Sequence, residues 1–358
     1  MNSFTFESQA SRVVFGPGSV AELSVELERL GVQRVLLVST EGRSAMAEKV
    51  SSLAGGRVVE NFDQAAPHVP EHIARAARES AASSRADCIV AVGGSSAIGV
   101  AKSIAIATPL PIVAIPTTYG GSEMTPIWGL TRDGRKETGR NPRVQPRVVI
   151  YDPDLTHGLP ARVTASSGMN ALAHCIEALY APDRNPLTSA AAMEGIRLLS
   201  GALPLLVPNP ADREQRALAL NGAWLAGFAL GTSQMGLHHK LCHTIGGTYD
   251  LSHADTHAVL LPFTSAYNRE FAPEAMRSAA VALGVVDAPT ELLALSTAID
   301  APKSLRELGM RASDLDSAAA LATERAYPNP RPVTLGEVRE LLAAAYEGEM
   351  DYVALKAP

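Results

Sequence analysis

The chain changes character once, near residue 160, and that change limits the folds open to it. Before it, short β-branched runs alternate with amphipathic stretches; after it, the β signal is gone and long Ala/Leu-rich periodic stretches follow one another. The first pattern builds a parallel sheet covered by helices, and the second builds a helical unit. RVLLVS (Arg34 to Ser39), RVVENF (Arg57 to Phe62), CIVAV (Cys88 to Val92), PIVAIP (Pro111 to Pro116) and Val148 to Tyr151 are the expected strands. Ser19 and Glu22 read as a capping box opening a helix with Leu23, Leu27 and Leu30 on one side, and Pro70 starts another. Thr131 to Pro160 reads as turn-rich, while Ala165 to Tyr180, Leu187 to Leu206 and Asp212 to Leu230 read as helices. The expected division is an α/β domain over residues 1–157 and an all-α domain over residues 158–358.

Composition narrows the partners. The formal net charge of −6 leaves no basic surface for nucleic acid or an acidic membrane, so any anion must be met locally. The first residues carry neither a basic n-region nor an apolar h-region, and the best apolar run, AIGVAKSIAIATPLPIVAIP, is broken by Lys102 and three prolines. A cytoplasmic protein without a membrane span is expected. Cys88, Cys175 and Cys242 are too few and too far apart for a disulfide framework.

Two loops carry a ligand signal. Gly93-Gly94-Ser95-Ser96 follows a strand and opens a helix, where glycines let backbone N–H groups approach a phosphate. A plain turn reads equally well there, and the run is not GxGxxG. Ile115-PTTYGGSEMTPIWG places Thr117, Thr118 and Ser122 beside Gly120 and Gly121, again at a strand's end. Together the two loops point to a nucleotide crevice at the carboxyl ends of neighbouring strands.

Histidines supply the other signal. Asn170, His174 and Glu177 share one helical face, and His239 and His243 are four apart in HHKLCHTIGG, with His253 ten further on. One histidine is ordinarily a satisfied core or surface residue; four at helical spacing favour one convergent site. The pair lacks the glutamate of HExxH, which removes a zinc-protease reading.

GGSSAIGVAK, IPTTYGGSEMT, SGMNALAHCIEAL and HHKLCHTIGGTYDLSHADTHA resemble the iron-containing (group III) alcohol dehydrogenase family, most closely its maleylacetate reductase subgroup, from VVFGPGSVAEL to the NPR at Asn329 to Arg331. The resemblance implies a dehydroquinate synthase-like fold: an N-terminal dinucleotide-binding α/β domain, an all-α C-terminal domain, and a site in the cleft between them. It implies that Gly93, Gly94 and Ser95 hold the pyrophosphate of a nicotinamide cofactor, with Thr117, Thr118, Tyr119 and Lys136 also at its site. Thr40 stands where relatives usually carry the acidic residue that selects the adenosine ribose, so both NADH and NADPH are expected to serve. A homodimer is also implied.

Metal-dependent relatives bind a divalent ion with one Asp and three His, and the matching positions are Asn170, His174, His239 and His253. With the anionic ligand replaced by an amide, as in the subgroup, no metal requirement is expected. The substrate implied is the dicarboxylate maleylacetate, whose double bond is conjugated with a ketone, so hydride addition gives a delocalised enolate that needs no Lewis acid. His243 is the expected proton donor, with His253 next, while His174 and His239 polarise the enolate oxygen. Lys240 is the nearest expected cation for the substrate. The basic stretch of Arg132, Arg135, Lys136, Arg140, Arg143 and Arg147 is either a solvated loop or a source of one or two contacts, and Arg331 is a weaker candidate. Cys175 and Cys242 are either sensitive thiols or small buried hydrophobes. Rival readings are a metal-dependent alcohol or polyol dehydrogenase, a catalytically inactive nucleotide-binding member, and a lyase on the related synthase fold.

Overall fold

The computed structural model describes residues 4–6, 11–132 and 135–350; the side chain of Arg135, from the basic stretch, lies outside the described parts. The chain divides after Leu159 into two compact units, and Phe4, Thr5 and Phe6 group with the second.

The strands of the first unit are β1 (Arg12–Phe15), β2 (Val35–Val38), β3 (Val58–Phe62), β4 (Cys88–Gly93), β5 (Ile112–Pro116), β6 (Ile127–Arg132), β7 (Arg135–Arg140) and β8 (Val148–Tyr151). Six form a parallel sheet in the order β1-β8-β5-β4-β2-β3. Strands β2, β4, β5 and β8 are buried along their whole length, which is why they read as continuous apolar runs. Helices α1 (Leu23–Arg29), α2 (Ser44–Leu53), α3 (Glu71–Ser83) and α4 (Ser95–Ala105) accompany them, and Leu23, Leu27, Val35, Val90, Ile115 and Ile150 belong to one core. The strand order reverses between β2 and β4, and in open parallel sheets ligands bind beyond the carboxyl ends at such a reversal.

Three local expectations change. Strand β1 is half-exposed at the sheet edge, so its RVVF never shows the continuous apolar run that marks a central strand. Part of the segment read as turn-rich pairs as an antiparallel hairpin, β6 with β7, in which Thr131 faces Lys136; its charged strand carries no alternating apolar signal. No capping box forms at Ser19: the residues Ser19–Glu22 make a 3-10 turn without a side-chain cap, and the Ser19 hydroxyl donates to the Tyr151 carbonyl at 3.1 Å.

The second unit is helical: α5 (Ala161–Tyr180), α6 (Pro186–Leu206), α7 (Arg213–Gly231), α8 (Leu237–Thr248), α9 (His253–Asn268), α10 (Pro273–Leu283), α11 (Ala288–Ala298), α12 (Leu315–Thr323) and α13 (Leu335–Glu347). Side chains of Asn185, Asp212, Ser252, Asp287 and Thr334 accept first-turn N–H groups and fix five of these starts. Helix α5 is buried continuously from Thr164 to Tyr180, so its polar members Asn170, His174 and Glu177 lie inside the unit. A core of Leu237, Leu241, Ile245, Val259, Phe263 and Leu342 seats α8 against α9 and α13. Among the described residues no single helix is long and apolar enough to cross a membrane.

Candidate active site

In the first unit the two glycine loops come together, as the sequence implied. Gly93 ends β4 with φ +145, outside the range of most side chains, and Thr117 N–H donates to its carbonyl at 3.0 Å. A Cβ on Gly94 would lie 3.1 Å from Thr118, and one on Gly120 only 2.5 Å from Ser95 Oγ. The close approach of these backbones is therefore what the glycines permit. Helix α4 begins at Ser95 without a side-chain cap, so its first N–H groups and positive dipole end suit a phosphate. Tyr119 is fully buried beside them, Thr40 stands two residues beyond β2, and Lys136 lies on β7 in the hairpin.

Lys102 is a part of this crevice that sequence reading treated only as an interruption of an apolar run. It is 1% exposed, and its ammonium donates to the carbonyls of Ser122, Thr125 and Ile127 at 2.6, 2.7 and 2.8 Å, with Thr125 Oγ1 at 3.0 Å. Helix α4 thereby holds the segment that follows the Thr117–Gly121 turn. Burial pulls its pKa down to about 7, while nearby Glu123 opposes that shift. Glu123 is itself buried and accepts from the Tyr151 hydroxyl at 2.8 Å.

The second unit gathers six of the chain's nine histidines, His174, His238, His239, His243, His253 and His257, into one set of touching rings. Helix α5 supplies His174, α8 supplies the next three, and α9 supplies the last two. His243 and His253 are partly exposed and stacked, with centroids 5.6 Å apart and planes 16° apart; His238 and His257 are fully buried. Sequence reading found the first group and missed His238 and His257. The i, i+4 spacing of His253 and His257 puts both on one face of α9 but does not tell a buried ring from an exposed one.

Glu177 organises the cluster. It is 1% exposed, and its oxygens accept the backbone N–H groups of Gly236 at 3.2 Å, His238 at 2.9 Å and His239 at 3.3 Å, so a carboxylate caps α8 from a neighbouring helix. Its Oε2 also lies 2.5 Å from His239 Nδ1. Burial works against the charge, but the His239 hydrogen bond and the adjacent imidazoles outweigh it and hold the carboxyl below its ordinary range. His239 Nε2 meets His174 Nδ1 at 2.8 Å. Both nitrogens of His239 are thus engaged, and it links Glu177 to His174.

The family-type metal positions, Asn170, His174, His239 and His253, lie on α5, α8 and α9. Asn170 is 4% exposed and its Oδ1 has no hydrogen-bond partner, a carbonyl oxygen without an anionic charge to offer. Two nitrogen ligands at about 2.0–2.1 Å from one tetrahedral ion stand roughly 3.3 Å apart, whereas His174 and His239 are hydrogen-bonded at 2.8 Å and His253 Nε2 meets His257 Nε2 at 3.2 Å. As arranged, these rings hydrogen-bond one another, and the set lacks the anionic ligand. A different trio, His238, Cys242 and His257, has donor atoms within 4.8 Å of one another and could hold a metal, although His238 Nε2 and His257 Nδ1 already share a hydrogen bond at 2.8 Å.

Some expected cations are engaged elsewhere. Arg331 pairs with Glu337 at 2.7 Å and lies over the Tyr267 ring at 4.3 Å, and Arg132 pairs with Glu71 at 2.9 Å. Both act locally, and neither stands out for a substrate carboxylate. Lys240 is on α8, three residues before His243. Among the thiols, burial pushes Cys88 up to about 12 and raises Cys175 further; all three cysteines are free and buried. Cys175 and Cys88 are therefore packing residues, not nucleophiles.

A parallel sheet with a glycine crevice at its strand reversal, followed by an all-helical unit with converging imidazoles, defines a dehydrogenase fold of two units. The chain belongs to the iron-containing alcohol dehydrogenase family: the iron-containing alcohol dehydrogenase domain matches residues 10–153, and the C-terminal domain of the Fe-containing alcohol dehydrogenase family matches residues 164–346. It is 51% identical to a maleylacetate reductase of Burkholderia cepacia over 97% of this chain and 99% of that one, and 47% identical to one of Sphingobium indicum over 96% and 98%. The crystal structure of maleylacetate reductase from Agrobacterium tumefaciens superposes with a TM-score of 0.93 at 45% identity, over 98% of this chain and all of that one.

Proposed function

We propose that the protein is a maleylacetate reductase: NADH or NADPH delivers hydride to the alkene carbon β to the ketone of maleylacetate, and protonation of the enolate gives 3-oxoadipate. The observation that carries this reading is near-half identity along the whole chain to proteins of that activity. The site supports it: Asn170 in place of an anionic ligand suits a reaction whose charge is delocalised. In this reading the loops at Gly93, Gly94, Ser95, Thr117, Thr118 and Tyr119 hold the dinucleotide, with Thr40 near its ribose and Lys136 as a further contact.

The histidines handle the substrate and the proton. His243, partly exposed on α8, donates the proton to the enolate carbon; His174, braced through His239 by Glu177, faces the enolate oxygen; Lys240 neutralises a carboxylate. No metal is required, and the enzyme is a cytoplasmic homodimer of aromatic-compound catabolism. The test is NADH oxidation by purified protein with maleylacetate, with and without a chelator, alongside metal analysis and identification of the product. Stoichiometric formation of 3-oxoadipate that survives chelation is expected. Activity restricted to simple alcohols, or dependent on iron, would overturn the reading.

A further inference from the structure

Behind the partly exposed His253 runs a line of buried contacts that the reaction described above does not use. Thr264 Oγ1 lies 2.9 Å from His238 Nδ1; His238 Nε2 lies 2.8 Å from His257 Nδ1; His257 Nε2 lies 3.2 Å from His253 Nε2. His238, His257 and Thr264 are fully buried. The direction of the line follows from one hydroxyl. Thr264 has a single proton, and the backbone carbonyls of Leu260 at 3.0 Å and Leu261 at 3.2 Å can only accept it. With the proton on that side, Thr264 accepts from His238 Nδ1.

The remaining protons then fall into place ring by ring. His238 carries its hydrogen on Nδ1, which leaves Nε2 as an acceptor. His257 must donate from Nδ1 and accept at Nε2, and His253 must donate from Nε2. The Cys242 thiol stands 3.6 Å from the same His238 Nε2, a weak donor aimed at a nitrogen that this assignment makes an acceptor. Reversing any one ring would set two N–H groups, or two lone pairs, against each other inside the core.

We propose that His257 and His238, anchored by Thr264, are positioning residues that fix His253 as the Nε2–H tautomer. The proton of His253 is then engaged with His257, which leaves His243, stacked on its face, as the donor. Sequence had ranked these two rings as alternatives for one task; the line of contacts gives them different tasks. The proposal rests on the reading of this cluster as the reaction site, and the tautomers can be measured independently of turnover.

In ¹⁵N-histidine-labelled protein, two-bond ¹H–¹⁵N spectra near neutral pH should show His238 and His257 protonated at Nδ1 and His253 at Nε2, with single His→Gln variants giving the assignments. His257→Leu removes the acceptor for His253 and should lower kcat about tenfold or more with KM for NADH unchanged; His257→Gln, whose Oε1 can accept, should restore most of it. Thr264→Val removes the anchor from the far end and should disturb the His238, His257 and His253 signals while leaving that of His243 in place. His253 found with its proton on Nδ1, equal impairment in the Leu and Gln variants, or stoichiometric zinc held by His238, Cys242 and His257 would each overturn the proposal. Correct tautomers in a protein that does not reduce maleylacetate would instead overturn only the assigned reaction.

Discussion

Glu177 Oε2 and His239 Nδ1 stand 2.5 Å apart between two buried helices, and the same carboxylate accepts three backbone N–H groups at the start of α8. One side chain therefore sets both where α8 begins and which way an imidazole faces. Glu177→Gln keeps the shape but puts an amide where only acceptors fit. We expect kcat to fall roughly 10- to 100-fold, as for loss of a partner that orients a functional histidine. Stability should fall by about 2 kcal/mol or more, because buried donors lose their acceptor. The folded carboxyl titrates below its ordinary value of 4.5, so its stabilisation is present above that value and is lost as pH falls through the folded pKa. Acid-denaturation curves should accordingly separate wild type from variant near neutrality and bring them together at low pH.

Lys102 tests the crevice in the same way. Lys102→Met leaves three carbonyls of the Ser122–Ile127 segment without a donor, each costing about 1–3 kcal/mol. The expected result is a KM for NADH raised about tenfold, with kcat less affected, since the loop next to the Thr117–Gly121 turn loosens. Its pH dependence has the same sign as that of Glu177 but falls in a higher pH window. The folded pKa of about 7 lies below the ordinary 10.5, so the unfolded chain binds more protons between these values. Wild-type stability should rise with pH across that window relative to the variant, by at most roughly 5 kcal/mol. A parallel pair of stability curves would dismiss Lys102 as the titrating group.

The sheet and the long helices were legible because each buries a face whose period survives in the sequence. The edge strand β1 and the charged β6–β7 hairpin were not, since neither buries enough to show a period. At the site, the ligand-bearing residues could be read from spacing, as with His239 and His243, or from resemblance. The contacts behind them could not. Nothing in HADTHA distinguishes His257, pointing into the core toward His238, from a surface histidine, and a buried Lys102 looks in sequence like a break in an apolar run. Buried polar contacts depend on which helices meet, and that information is tertiary.

Thr40 makes cofactor choice testable. Following β2 at the strand reversal, it offers no carboxylate to repel a 2′-phosphate. Wild-type kcat/KM for NADH and NADPH should agree within about a hundredfold, and Thr40→Asp should depress NADPH use by roughly 10- to 100-fold while leaving NADH use nearly unchanged. Equal losses with both cofactors would place Thr40 away from the ribose.

Asn170 decides the metal question most directly. Its Oδ1 is buried without a hydrogen-bond partner, so Asn170→Asp returns the missing anion to the family-type ligand set. Without metal, the new carboxylate is a buried charge, and Tm should drop. With zinc at a hundred times its Kd, binding to the folded state alone should return about 2.7 kcal/mol, read as a Tm rise that wild type does not show. For that to happen His174 and His239 must part from 2.8 Å to the wider spacing of two ligands on one ion, breaking the hydrogen bond that braces His174 on His239. The variant should therefore gain metal and lose maleylacetate turnover together. Zinc-dependent stabilisation of wild type equal to that of Asn170→Asp would show that the amide is no barrier to an ion.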